Sequence, residues 1–189
     1  AARPQRDYTE RLVRIAGAGT LSYYHRPPVP AEPVAGDALA LHPGDRVYFC
    51  PQALQKVQPA MDAIFSRIVG LDPNARIVLI AFEDHQRKAL EERFARLSRA
   101  LGERVRFVPK TSYRGFLSRL AQADVILDTV HFNGQNTTLE SLAAGTPVVT
   151  LPGALQRGRH GFGIYQATGF TELVADDAED YARKAVRVA

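Results

Sequence analysis

Asn136, Thr137 and Thr138, whose side-chain oxygens suit orphan amide hydrogens, read as the cap and first turn of a helix running through about Ala144 and ended by Gly145. Upstream lie Asn133-Gly134-Gln135, read as a tight turn, and the apolar strand Val125-Ile126-Leu127. Beyond Gly145 comes a second apolar strand, Pro147 to Leu151. Gly145 suits the left-handed position that closes a helix. A strand feeding a glycine-bearing turn and a helix start aims free N–H groups and a positive dipole end at one spot, which is the chemistry of an anion site. A bound phosphate or diphosphate is the reading this stretch favours. The plain alternative is that Thr137 and Thr138 only cap the helix, since capping and phosphate binding use the same geometry.

The elements that must position this turn follow a βα rhythm. Val47 to Cys50 is a short strand, and Pro59 to Gly70 is helical, with Met61, Ile64, Phe65, Ile68 and Val69 at i, i+3, i+4 spacing. Arg76 to Ala81 reads as a buried strand, and Asp84 to Leu101 as one amphipathic helix stopped by Gly102. Val105 to Val108 is a third strand and Tyr113 to Gln122 a third helix; Gly161–Thr168 and Ala178–Val188 complete the helices. Strands separated by helices imply a parallel sheet covered on both faces, a doubly wound, Rossmann-like α/β domain. Before it, the residues from 26 to 44 hold Pro27, Pro28, Pro30, Pro33 and Pro43, a density that prevents helix and reads as an extended linker or surface crossing. The segment from Tyr8 to Ala18 is mixed. Residues 1–45 are thus expected to be an entry segment and proline-rich linker, and 46–189 the Rossmann-like domain.

In such sheets ligands bind at the carboxyl ends of the strands. Polar residues collect there: Gln52 and Lys56 after the first strand, Lys110, Thr111, Ser112 and Tyr113 after the third, His131 and Asn133 to Thr138 after the fourth, and Arg157, Arg159 and His160 after the fifth.

Composition narrows the classes. With 189 residues, 46% hydrophobic and 23% charged, the chain is long enough for one core. A net charge of +4 favours anionic partners, but the 24 Lys and Arg are scattered among 20 acids, which points to a small phosphate-bearing ligand rather than nucleic acid. Cys50 stands alone, so no intrachain disulfide forms and a reducing, cytoplasmic compartment is expected. No apolar run reaches the length of a membrane span and no signal peptide is visible. His85, His131 and His160 lack metal-ligand spacing, and neither a nucleophile elbow nor a Walker A sequence occurs. The first βα turn, Cys50-Pro51-Gln52, lacks the glycine fingerprint of dinucleotide binding.

The run NTTLESLAAGTPVVTLPG with Arg157-Gly158-Arg159-His160 resembles the donor-binding half of glycosyltransferases related to O-linked N-acetylglucosamine transferase, SPINDLY-like proteins included. Tyr48 to Lys56 resembles that family's strand end bearing a Gln and a Lys, Ala123 to Thr129 matches closely, and Tyr8 to Arg14 resembles the segment closing its preceding domain. The resemblance implies an inverting GT-B enzyme that moves a sugar from a UDP-sugar, or a GDP-sugar as in SPINDLY-like fucose transfer, to a protein Ser or Thr, without metal or other cofactor. It places the family's essential lysine at Lys56, which on composition alone reads more readily as a solvated lysine at a helix start, and a supporting donor at Gln52. Asn136 stands where the animal enzyme has a histidine, so no charge is carried there. The family's ribose-binding aspartate aligns with Ser141, leaving Glu140 as the candidate acceptor or as a plain helix-start acid. Tyr113 and Phe116 fall where the nucleobase is held, with Arg119 beside them, although Phe116 fits a core stripe equally well. Arg157 and Arg159 resemble the basic loop near the diphosphate, against the alternative of a solvated loop.

A GT-B site lies between two halves, so the acceptor half and any tetratricopeptide repeats that deliver a protein substrate are expected to precede Tyr8. An apolar face left without that half would make the piece dimerise. The competing readings are another bacterial glycan or N-linking transferase of the same architecture, and a non-catalytic module that keeps the fold.

Overall fold

In the computed structural model, residues 5, 8–13, 24–36, 39 and 42–189 are described. Five strands form one parallel sheet in the order β3-β2-β1-β4-β5, with β1 Arg46–Cys50, β2 Ala75–Ala81, β3 Val105–Pro109, β4 Val125–Leu127 and β5 Val148–Val149. Central β1 pairs with β2 through Tyr48 opposite Ile77 and with β4 through Tyr48 opposite Val125. Val47, Tyr48, Phe49 and Cys50 are all buried, as expected for a strand covered on both faces. Tyr48 buries its hydroxyl by donating to Asp72 at 2.7 Å.

The helices are α1 Pro59–Leu71, α2 Asp84–Leu97, α3 Arg99–Arg104, α4 Tyr113–Gln122, α5 Asn136–Ala143, α6 His160–Thr168 and α7 Ala178–Val188. α1 packs against α3 and α7, while α4 and α5 pack against each other. With right-handed crossovers this makes the doubly wound arrangement that the βα rhythm predicts. Met61, Ile64, Phe65 and Ile68 of α1 all lie in the core, and Phe65 meets Phe94 of α2 edge-on at 6.0 Å.

Three expected boundaries change. The single helix from 84 to 101 is two: Ser98 adopts φ −164° and ψ 147°, and its hydroxyl caps α3 by accepting from the Leu101 amide at 3.0 Å. Gly102 therefore stops nothing; it lies inside α3, where a Cβ would come within 3.3 Å of the Ala95 Cα. β5 is shorter than Pro147 to Leu151, because Thr150 leaves β4 to bridge with Val174 and donates its amide to Leu173. Gly145 does close α5 from the left-handed region, at φ 83°.

The proline-rich stretch over 24–36 has neither helix nor strand and crosses the α4–α5 side as a strap. The Val34 amide donates to Ser118 Oγ at 2.9 Å, Arg26 reaches the Ala143 carbonyl, and Leu39 is fully buried while its carbonyl accepts from Arg106. Of the mixed segment from Tyr8 to Ala18, residues 8–13 have no helix or strand and the remainder lies outside the described residues.

Candidate functional site

The strand order reverses between β1 and β4, and it is at such a switch point, beyond the carboxyl ends of the strands, that doubly wound sheets form a ligand crevice. After β1 the chain passes Gln52 and makes a 3-10 turn over Leu54–Lys56, anchored by buried Leu54. Half-buried Lys56 directs its ammonium to three partners: Gln52 Oε1 at 2.9 Å, the Asn133 carbonyl at 3.4 Å and the face of the Phe132 ring at 4.3 Å. Burial pushes the Lys56 ammonium below the ordinary lysine value, and Asp128 opposes that shift. Gln52 is buried and lies so close to Gly134 that a Cβ there would collide with its Nε2. Glycine at 134 is required by this approach, which joins the β1 loop to the start of α5.

The chain between β4 and α5 bends through residues 129–135, stapled from several sides, rather than closing as a tight turn over Asn133 to Gln135. Thr129 Oγ1 donates to the Phe132 carbonyl, Asn133 Nδ2 to the Thr129 carbonyl and the Asn133 amide to the Arg157 carbonyl, each at 2.7 Å. His131 is held in the left-handed region at φ 68°. The cap of α5 is Gln135, not Asn136, and no side chain caps it. Asn136 is instead the exposed first residue of the helix, with Thr137 half-buried behind it. Thr138 is buried and turns its hydroxyl back onto the Gly134 carbonyl at 2.9 Å. The first turn of α5 thus starts at the switch point without a side-chain cap, where an anion would satisfy its amides.

On one flank, Tyr113 at the start of α4 is 54% exposed and donates its hydroxyl to Glu140 Oε1 at 3.0 Å. Tyr24 of the strap bonds to the same carboxylate, and burial together with Glu140 pushes its phenol up to about 12. Glu140 is buried on the inner side of α5, while Ser141 donates to the Thr137 carbonyl and is spent within the helix. Phe116 packs half-buried against the core. Arg119 is only 3% exposed and donates to the Pro109 carbonyl at 2.5 Å, so it lies inside the domain rather than on the crevice wall.

On the other flank, exposed Arg157 sits on a 3-10 turn over Gln156–Gly158, next to a cavity of about 480 Å³ also lined by Gln58, His131, Phe132, Gly153 and Leu155. Arg159 turns away, donating to the Gly153 carbonyl at 2.8 Å and stacking on Phe162 at 4.7 Å. His160 opens α6; burial and the nearby Lys56 charge hold its imidazole below the ordinary histidine value. The structure therefore gathers Gln52, Lys56, Asn136, Thr137, Thr138 and Arg157 about the switch point and sets Tyr113 with Glu140 to one side. Phe116 and Arg119 are drawn inward.

Sequence reasoning passed over Asp128, which sits at the end of β4 with 1% exposure. Its Oδ1 accepts from the Gly134 amide and its Oδ2 from Thr150 Oγ1, both at 2.8 Å, while its carbonyl accepts from the Tyr181 hydroxyl at 2.9 Å. Burial pushes its carboxyl up to about 7 against the opposing pull of these bonds and of Lys56. The signal available was an acid closing the apolar run Val125-Ile126-Leu127, where a buried strand end meets the crevice.

Among the described residues no group of three His, Cys, Asp or Glu side chains is arranged to hold a metal ion, and no helix is long and apolar enough to cross a membrane. The family model for glycosyl transferase family 41 matches residues 34–189. A Petunia hybrida protein named as a probable UDP-N-acetylglucosamine–peptide N-acetylglucosaminyltransferase SPINDLY is 26% identical over 186 residues, covering 96% of this chain and 19% of that protein. A Caenorhabditis elegans UDP-N-acetylglucosamine–peptide N-acetylglucosaminyltransferase is 33% identical over 151 residues, covering 77% of this chain and 13% of its own length. A solved mutant of the Thermobaculum terrenum O-GlcNAc transferase superposes with a TM-score of 0.74 and 30% identity over 97% of this chain and 34% of that one. The chain thus spans a fifth or less of the curated relatives it matches.

Proposed function

The chain belongs to glycosyl transferase family 41, and from that membership and the geometry of the switch point we propose that it is the nucleotide-sugar-binding half of a glycosyltransferase acting on protein Ser or Thr. The observation that carries this reading is the Lys56 ammonium, held by Gln52 and Asn133 beside the uncapped start of α5. A diphosphate in the crevice meets a point charge from one side and helix amides from the other. As the bond from sugar to diphosphate breaks, negative charge grows on the leaving group, and donors already fixed in place stabilise it more than they stabilise the ground state. On this reading the ring face of Tyr113 serves the base and the carboxylate of its hydrogen-bond partner Glu140 serves the ribose hydroxyls. The names of the Petunia and nematode relatives favour a UDP-sugar, specifically UDP-N-acetylglucosamine, as donor. The acceptor-binding half, on this reading, is supplied by chain outside these residues, and transfer proceeds with inversion at the sugar carbon.

The test is a melting-temperature titration with UDP and GDP, on the wild type and on Lys56→Ala. Ligand at about 100 Kd stabilises by about 2.7 kcal/mol, enough to read clearly. A shift with one nucleotide that vanishes in the variant supports the donor site and identifies its base. No shift with either nucleotide overturns the reading. In the full-length enzyme Lys56→Ala is expected to lower kcat by about 10²–10³-fold, the size of effect that follows loss of one preorganised transition-state donor.

A further inference from the structure

Asp128 occupies the floor of the crevice. One carboxyl oxygen holds the Gly134 amide and the other the Thr150 hydroxyl, so a single side chain ties the β4–α5 loop to the end of β5. Gly134 in turn receives the Thr138 hydroxyl on its carbonyl and leaves room for Gln52, the partner of Lys56. The roof over the carboxyl is equally tight: a Cβ on Gly161, at the start of α6, would stand 2.9 Å from Asp128 Oδ2 and 2.8 Å from Thr150 Oγ1. We propose that Asp128 is a positioning residue of the donor site, fixing the geometry in which Lys56 and the α5 amides face one diphosphate and linking donor affinity to its own proton. This rests on the donor-site reading above.

The linkage follows from what surrounds the carboxyl. Lys56 faces it from the turn after β1, Cys50 from β1, Tyr165 from α6 and Tyr181 from α7, while His160 on α6 interacts with Lys56. The thiol and the Tyr165 phenol are pushed up to about 12 and the Tyr181 phenol is raised as well, so all three stay neutral at ordinary pH. His160 lies below its usual value and loses its proton before neutrality is reached. Of the carboxyl, thiol, phenols and imidazole in this cluster, Asp128 is then the group that changes charge near pH 7. A diphosphate arriving above it disfavours the carboxylate, so binding takes up a proton and affinity falls as pH rises through that range.

Calorimetric titration with UDP and GDP from pH 6.5 to 8.5 tests this on wild type, Asp128→Asn and Thr150→Val. An asparagine keeps the acceptor for Gly134 and offers Thr150 a donor, but it cannot ionise. The nucleotide's own phosphate titration is common to all three and cancels in the comparison. Relative to Asp128→Asn, the wild type is expected to lose about 5-fold in affinity across this range. Thr150→Val removes a bond that favours the carboxylate, and the fall is expected at higher pH than in the wild type. Parallel pH profiles for wild type and both variants overturn the positioning proposal while leaving the donor site standing. A wild type that binds neither nucleotide overturns both.

Discussion

Lys56 spreads its ammonium over an amide oxygen, a backbone carbonyl and an aromatic face, and only the last is readily given up. A cation over an exposed ring is worth about 0.5–1 kcal/mol, whereas a hydrogen bond to a charged group contributes about 1.5–3 kcal/mol. On the proposed donor-site reading, an incoming phosphate is therefore expected to displace Phe132, whose ring is 44% exposed, rather than Gln52. Phe132→Ala is expected to cost less than about 1 kcal/mol of stability and to leave nucleotide affinity unchanged or tighter; a tenfold weaker Kd by calorimetry would show that the ring itself holds the ligand. Asp128 makes a second prediction at this scale. Its carboxyl sits at about 7 in the fold against 3.8 in the open chain, so the stability of the protonated form is complete below the lower value and lost as pH rises through the higher one. The melting temperature of Asp128→Asn should gain on the wild type between pH 4 and pH 7 and hold its lead above. A constant difference over that range in thermal melts would refute it. Neither role was legible in sequence. Phe132 meets Lys56 only because residues 129–135 are stapled into an irregular bend, and Asp128 reads as an ordinary acid at the end of a strand.

Elements were far more legible than contacts, for reasons visible in particular residues. α4 was readable to its last residue, because Ser112 caps it by accepting from Gly115 and Ala123 ends it in extended backbone. The four inner residues of β1 were readable because a parallel strand buried on both faces is a continuous apolar run. The break between α2 and α3 was hidden, since Phe94, Leu97 and Leu101 continue helical spacing straight through Ser98. Only a side-chain bond, Ser98 Oγ to the Leu101 amide, marks the restart. Ser98→Ala should accordingly cost about 1 kcal/mol in denaturant unfolding, the usual value of a lost cap, and no change in the midpoint would mean the break is set elsewhere. The cap of α5 was misplaced by one residue, because the staples on Thr129 and Asn133 decide where the helix begins. The candidate site was half legible: Gln52, Lys56 and the α5 start were readable from their places after strands, while the burial of Arg119 was not. Its neighbour Ser118 is covered by the strap through Val34, 84 positions earlier in the chain, a contact no local pattern announces.

At the scale of the whole molecule, the carboxyl rim presents four large apolar side chains, Phe82, Tyr113, Phe132 and Leu155, each between 44% and 55% exposed and each following a different strand. Apolar groups ranged along the mouth of a crevice fit a face that a second structural half covers. The chain by itself is therefore expected to self-associate as its concentration rises, with Leu155→Asp reducing the effect; a single monomeric mass by light scattering at high concentration would count against it. The strand order has a consequence of another kind. β1 is the sheet's centre, yet one of its two neighbours, β4, is among the last strands to be made. Once Ala81 has left the ribosome, β1 and β2 can pair, but the other edge of β1 stays bare until Leu127 follows about 45 residues later, or about 2–9 s at about 5–20 residues per second. For those seconds a largely apolar strand is an open template for neighbouring nascent chains, so the yield of this domain in a cell is expected to depend on what shields that edge during translation.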